Sequence, residues 1–297
     1  MSTSTPTPRT APAGERATTL LEANGLRRTF DGNRGDEPVI AVDDVSFTIA
    51  AGESLGLVGE SGSGKSTIAR IVVGLERADS GTLTIGGVDR LAGRRGRAAR
   101  LAHARQVQMV FQDPYGSLDR RLTVEQTLQR AMRLHRLGDR GRESSVRVAE
   151  LLDRVRLTRT QAALKPHQLS GGQRQRVAIA RALAVEPGVL VLDEAVSALD
   201  VSVQAQILEL LGEIRRDSGI ALLFVSHDLA VVDEVTDRTL VLHLGRVVEQ
   251  GPTGEVLRTP QDAYTKLLVS SVPGPGWDPH DVIERRAAFQ RARSAAD

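Results

Sequence analysis

The chain has 297 residues, 40% apolar and 26% charged, with a formal net charge of +2. These are globular proportions in a chain long enough for a sizeable core, and a charge so near balance gives no argument for a nucleic-acid partner. There is no Cys, which excludes disulfides, Cys-ligated zinc and a Cys nucleophile.

Residues 1–17 are rich in Ser, Thr and Pro and lack the apolar stretch of a secretory signal. They read as a disordered tail, with order expected from about residue 19. No apolar run approaches the ~20 residues of a membrane helix, so any membrane role is expected to be peripheral. Residues 21–26 and 39–49 are strand-like. In the second, Val42, Val45, Phe47 and Ile49 mix with polar residues, as in an antiparallel sheet. Phe30 precedes the turn-rich insert between them; stacking on a nucleotide base and core packing are both open for it.

An apolar strand, 54–58, then runs into Gly59-Glu60-Ser61-Gly62-Ser63-Gly64-Lys65-Ser66-Thr67, and a helical pattern, 68–75, runs out of it. The pattern G-x-x-x-x-G-K-S in that setting predicts a phosphate-binding loop. Its glycines permit a tight turn whose N–H groups face phosphate oxygens, and the helix adds the positive end of its dipole. Lys65 supplies a point charge for the β- and γ-phosphates, and Ser66 a hydroxyl for Mg²⁺.

A short strand, 81–87, leads to a basic cluster, Arg90, Arg94, Arg95, Arg97, Arg100 and Arg105. It reads as a solvated face or as a contact for acidic lipid or a partner. A buried strand, 107–112, is closed by Asp113-Pro114. Residues 123–157 are helical, with one stripe of Val124, Leu128, Met132 and Leu134 and another of Val146, Val148, Leu151, Leu152 and Val155. A strand, 189–192, ends in Asp193-Glu194; a helix, 201–215, follows; a strand, 220–225, ends at Ser226-His227-Asp228. Short buried strands alternating with helices predict a parallel sheet covered on both faces. A hairpin over 238–250, a helix over 253–271 and a polar tail after Pro273-Gly274-Pro275-Gly276 complete the chain.

Asp193 stands where a P-loop NTPase holds Mg²⁺, and Glu194 beside it is suited to orient or deprotonate an attacking water. Leu169-Ser170-Gly171-Gly172-Gln173 opens a second helical run, so its N-terminus is a second anion site in a chain whose nucleotide already has one. That sequence, with the rest of residues 20–251, resembles the ABC-type ATPases. The resemblance implies an α/β P-loop NTPase: a RecA-like core with a parallel sheet, an antiparallel β subdomain, and an inserted α-helical subdomain at about 115–165. The ATPase domain would span 19–251, with a C-terminal extension over 252–297.

By the same resemblance, Ser170, Gly171, Gly172 and Gln173 contact the γ-phosphate of ATP held by a second chain. Gln112 reaches Mg²⁺ and water, Asp200 ends a loop crossing the dimer interface, His227 contacts the γ-phosphate, and Phe30 stacks on the base. Lys65, Gln112, Glu194 and His227 are then the catalytic set; Ser66, Gln112 and Asp193 the Mg²⁺ ligands. Residues 111–119 and 195–207, and Tyr264-Thr265-Lys266-Leu267-Leu268, resemble more narrowly the ATPases of dipeptide/oligopeptide and nickel importers. Arg120 departs from the Pro usual there, and the absence of Cys rules out the iron–sulfur cluster of some members. Expected partners are a second ATPase subunit, identical or similar, two transmembrane permease subunits and, through them, an extracytoplasmic solute-binding protein, with no nucleic acid. The expected place is the cytoplasmic face of the cell membrane. The alternatives are an exporter ATPase or a soluble ABC ATPase acting on nucleic acid or the ribosome.

Overall fold

The computed structural model describes residues 18–32, 37–92, 96–137 and 142–272, together with 280, 285–287, 289 and 291. The expected disordered tail, Arg94 and Arg95, and the breaker at 273–276 lie outside the described residues.

The elements in order are β1 (Thr19–Phe30), β2 (Val39–Ala50), β3 (Ser54–Val58), α1 (Lys65–Val72), β4 (Ser80–Ile85), β5 (Val88–Asp89), α2 (Arg97–Gln106), β6 (Val107–Val110), α3 (Pro114–Ser117), α4 (Val124–Leu134) and α5 (Arg142–Arg154). After two 3₁₀ turns, Arg159–Ala163 and Pro166–Gln168, come α6 (Gly171–Leu183), β7 (Val189–Asp193), α7 (Val201–Ser218), β8 (Ala221–Val225), α8 (Leu229–Val235), β9 (Arg238–His243), β10 (Arg246–Pro252), α9 (Thr253–Arg258) and α10 (Ala263–Ser270).

Two sheets result. One is antiparallel, in the order β2-β1-β4-β5; the other runs β10-β9-β3-β8-β7-β6, parallel except for β10. This is the expected P-loop architecture. The parallel strands are mostly apolar on both faces because each face meets a different core. In β7 and β8, Val189, Val191, Leu223 and Val225 pack with the antiparallel sheet and Ile68, Ile71 and Val72 of α1. Their neighbours Leu190, Leu192, Leu222 and Phe224 pack with α4 to α10. The helical insertion thus shares the second core, through Val124, Leu128, Met132 and Leu152.

Some elements differ from expectation. Leu134 and Val146 are exposed, not core. Leu134 stands two residues beyond Met132, about 200° around the helix at 3.6 residues per turn. The single helix expected over 253–271 is two, because Asp262 starts a new one by accepting hydrogen bonds from Tyr264 N (2.8 Å) and Thr265 N (3.3 Å). Part of the Arg-rich stretch is a helix, α2, with no fully buried residue, as a solvated face requires.

Candidate nucleotide site

Four parallel strands deliver the site residues from their C-terminal ends. Gly59 follows β3, Asp193 ends β7, His227 lies two residues beyond β8 and Gln112 two beyond β6. Ligands bind at this edge of open α/β sheets.

The loop after β3 is shaped by its glycines. Gly59, Gly62 and Gly64 have φ of 149°, 81° and 104°. A Cβ at Gly64 would lie 2.2 Å from Ala41 O, and one at Gly59 2.2 Å from Leu242 O. Neither position admits a side chain, so the loop closes against β2 and β9. Gly245 N donates to Ser63 O at 3.0 Å and ties the loop to the β9–β10 turn. Gly64 begins α1 with no side-chain cap, leaving that helix's first N–H groups to bind an anion.

Lys65 is buried, and its Nζ donates to Gly59 O (2.7 Å) and Glu60 O (2.8 Å) within the loop. Burial pushes its pKa down, opposed by the charges of Glu194, Asp193 and Glu60. The next residue, Ser66, donates from Oγ to Asp193 Oδ1 at 3.2 Å, across 127 residues of sequence. Burial holds Asp193 above the ordinary carboxylate value, with the Ser66 hydrogen bond working against it. A hydroxyl beside a carboxylate is a hard oxygen pair that fits Mg²⁺, which takes one or two carboxylates and keeps several waters. Among the described residues no group of three His, Cys, Asp or Glu side chains offers an all-protein metal cage.

Glu194 adopts a left-handed backbone, φ 48°, a conformation that costs a non-glycine residue about 1–2 kcal/mol. Its N–H donates to Val225 O at 2.9 Å, so the turn is fastened to β8. That turn sets Glu194 Oε1 3.1 Å from His227 Nδ1. Gln112 is exposed, and its Nε2 donates to Ser197 Oγ at 3.3 Å, while Ser197 Oγ donates to Glu194 O at 3.0 Å. Gln112, Ser197, Glu194 and His227 therefore form one chain of contacts. From sequence Ser197 is only the first residue of the loop that ends at Asp200; its contacts to Gln112 and Glu194 are what bring it into this chain. Asp200 is exposed and starts α7.

The other predicted residues stand apart. Ser170 caps α6 in a reciprocal pair: Gln173 N donates to Ser170 Oγ at 3.3 Å and Ser170 N to Gln173 Oε1 at 2.9 Å. Gly172 lets α6 approach α7, since a Cβ there would meet Val203 Cγ1 at 2.4 Å. No hydrogen bond among the described residues joins Ser170–Gln173 to the phosphate loop. Phe30 is half-buried, belongs to neither core, and carries the Arg28 guanidinium 4.7 Å from its ring centroid. Ser61, Gly62 and Glu60 are exposed and Thr67 half-buried along the loop. A cavity of about 1240 Å³ lies elsewhere, beside α2, and is lined by Arg77, Arg90 and His103.

The sequence matches the family model described as ABC transporter over residues 42–197. It is 45% identical over 259 residues to the oligopeptide transport ATP-binding protein OppF of Bacillus subtilis, covering 87% of this chain and 84% of that protein. It is 49% identical over 244 residues to the glutathione import ATP-binding protein GsiA of Pectobacterium atrosepticum, covering 81% of this chain. The match spans only 38% of GsiA. Among solved structures, the ATP-binding cassette MJ0796, a post-hydrolysis dimer bound to ADP and Pi, superimposes with a TM-score of 0.70 at 29% identity, covering 79% of this chain and 99% of that one. CbiO1 from Clostridium perfringens, part of a cbiONQ transporter complex, gives 0.71 at 28% identity, covering 82% and 92%.

Proposed function

The chain belongs to the ABC transporter family and is an ABC ATPase, and from that premise we propose that it powers an importer of peptides or similar small solutes. The observation that carries the catalytic half is the meeting of Lys65, Ser66, Asp193, Glu194 and His227 at one edge of the parallel sheet. The import half rests on the likeness to OppF and GsiA over most of this chain.

In this reading N–H groups within residues 61–67 and the Lys65 ammonium hold the phosphates of ATP, and Phe30 stacks on its base. Ser66 and Asp193, with Gln112, would hold a magnesium ion, which would supply positive charge beside the phosphates. Glu194 takes the proton of the attacking water as its oxygen bonds to the γ-phosphorus. The β–γ bridging oxygen leaves with ADP. His227, hydrogen-bonded to Glu194, fixes the carboxylate's orientation and faces the γ-phosphate. Catalysis is positioning and preorganised charge.

The second anion site, Ser170 to Gln173 with Asp200 nearby in the facing loop, serves the nucleotide of a second ATPase subunit, identical or similar. Closure of that dimer moves α3 and α4, next to Gln112, against two transmembrane permease subunits fed by an extracytoplasmic solute-binding protein. No described helix is long and apolar enough to cross a membrane. In the same reading the chain is a peripheral subunit at the cytoplasmic face, with ATP its nucleotide and no nucleic-acid partner.

Glu194→Gln tests the assembly. It keeps the side chain's size and removes the carboxylate that acts on water. The variant should dimerise with Mg-ATP and not Mg-ADP in light scattering, with a paralogous ATPase supplied if the chain pairs with one. Adding Ser170→Arg should abolish the dimer. An ATP dimer that tolerates Ser170→Arg would falsify the role given to Ser170. For import, deleting the chain in its native cell should stop uptake of labelled peptides; undiminished uptake refutes the solute class and leaves the ATPase standing.

A further inference from the structure

Two residues from the C-terminal part of the chain converge on one residue of the phosphate loop. Glu249 on β10 accepts hydrogen bonds from Gln261 N (2.8 Å) and Asp262 N (3.1 Å). Asp262 in turn caps α10, which fixes the start of that helix against the sheet. Tyr264 in its first turn is 2% exposed, with its ring 3.9 Å from that of His243 at the end of β9. The Tyr264 hydroxyl accepts a hydrogen bond from the Glu60 backbone N–H at 3.0 Å. The Glu60 carboxylate pairs with Arg286 at 3.0 Å, and Phe289 lies edge-on to His243 at 5.6 Å. Backbone N–H groups are what such a loop offers to phosphate, yet Glu60 gives its own to Tyr264.

We propose that Tyr264 is a positioning residue of the phosphate-binding loop. Its hydroxyl anchors the outer turn at Glu60, as Gly245 N anchors the inner side at Ser63 O. Held at both points, the N–H groups from Ser61 to Lys65 meet the phosphates already ordered. The proposal rests on reading this loop as the ATP site. Tyr264 and Arg286 differ in weight. Tyr264 is buried and its hydrogen bond half-buried, whereas the Arg286–Glu60 pair is 57% and 45% exposed and screened by water. Losing this half-buried neutral hydrogen bond should weaken ATP binding about threefold to tenfold; losing the exposed pair should change it less than about twofold.

The test uses the full-length chain as wild type, Tyr264→Phe and Arg286→Gln. Phe keeps the ring against His243 and removes only the oxygen. The probe is a fluorescent ATP analogue, read alongside steady-state turnover and amide hydrogen exchange. Tyr264→Phe should raise the dissociation constant and KM about threefold to tenfold, leave kcat within about twofold, and speed exchange in residues 59–63 but not in β1 and β2. Unchanged binding with unchanged loop exchange overturns the proposal. So does faster exchange throughout the domain with kcat falling in step, which marks a purely structural tyrosine. A wild-type chain that binds no analogue overturns the ATP reading itself, and is recognised before any variant is measured.

Discussion

Replacing Gly64 and Gly62 by Ala separates the two ways in which the phosphate loop depends on glycine. Both have positive φ, 104° and 81°, so each methyl meets backbone strain of about 1–2 kcal/mol. At Gly62 nothing lies within 4 Å of the added Cβ, and strain is the whole effect. At Gly64 the Cβ would lie 2.2 Å from Ala41 O. That carbonyl sits between Ile40 and Val42, both paired to β1, and does not retreat alone. The loop must therefore shift by roughly 0.8 Å to reach the 3.0 Å floor for such contacts. Overpacking adds about 1–3 kcal/mol, and a misplacement near 1 Å costs on the order of a hundredfold in rate. In urea melts Gly64→Ala should lose about 2–5 kcal/mol in total and Gly62→Ala about 1–2. In ATP turnover Gly64→Ala should fall about a hundredfold, and Gly62→Ala by no more than about tenfold. Equal losses at the two positions, or Gly64→Ala with wild-type turnover, would refute the reasoning.

Four further outcomes follow from the geometry. Lys65→Ala should abolish Mg-ATP hydrolysis and weaken nucleotide binding, since the other two lysines, Lys165 and Lys266, lie in other elements; surviving turnover in the purified variant would defeat the assignment. Asp193 has a raised folded pKa, so it favours the fold fully only below its unfolded pKa, and that contribution is lost as pH rises through the folded value. Asp193→Asn should therefore melt higher than wild type at pH 7, with the advantage vanishing in acid, while losing hydrolysis; a lower melting temperature at pH 7 would count against it. Leu118 is 4% exposed in the helical core, so Leu118→Ala should cost about 2–5 kcal/mol of stability. Asp119 is exposed, and Asp119→Ala should spare both the fold and basal ATPase yet impair uptake; parallel loss of both activities would argue against a coupling role for the segment after Gln112.

Local signals account for what was readable from sequence. The strands β3, β7 and β8 are apolar except at Ser54 and Asp193 because both faces are buried, and each ends in a run of site residues. The start of α6 was marked by Ser170 and Gln173 three apart, the spacing of a reciprocal cap. Two features were missed because their signals are short or distant. Helix α8 has only seven residues after its cap at Asp228, too few for a periodic stripe. The contact of Tyr264 with Glu60 spans 204 residues and leaves no pattern in either segment.

The arrangement explains why residues so far apart in sequence act together. In the sheet β6, β7 and β8 follow one another, but β3, which precedes them in the chain, lies between β8 and β9, so the loop after an early strand sits beside the ends of late ones. Each crossover returns the chain beneath the sheet and brings the next strand up in the same direction. The C-terminal ends therefore collect at one edge, whatever the intervening length. The 127 residues between Ser66 and Asp193 contain the whole helical insertion, yet the two meet at 3.2 Å. An insertion at that point leaves the edge intact, because it enters immediately beyond Gln112 and returns through α6, whose first residues are the proposed second anion site. Movement of the insertion must pass through those two ends. Arg174 in α6 lies 5.0 Å from the Tyr115 ring of α3, and Arg120 4.0 Å from the same ring. The two ends are thus held to each other, and under the proposed function this contact links Gln112 to the residues given to a second chain's nucleotide.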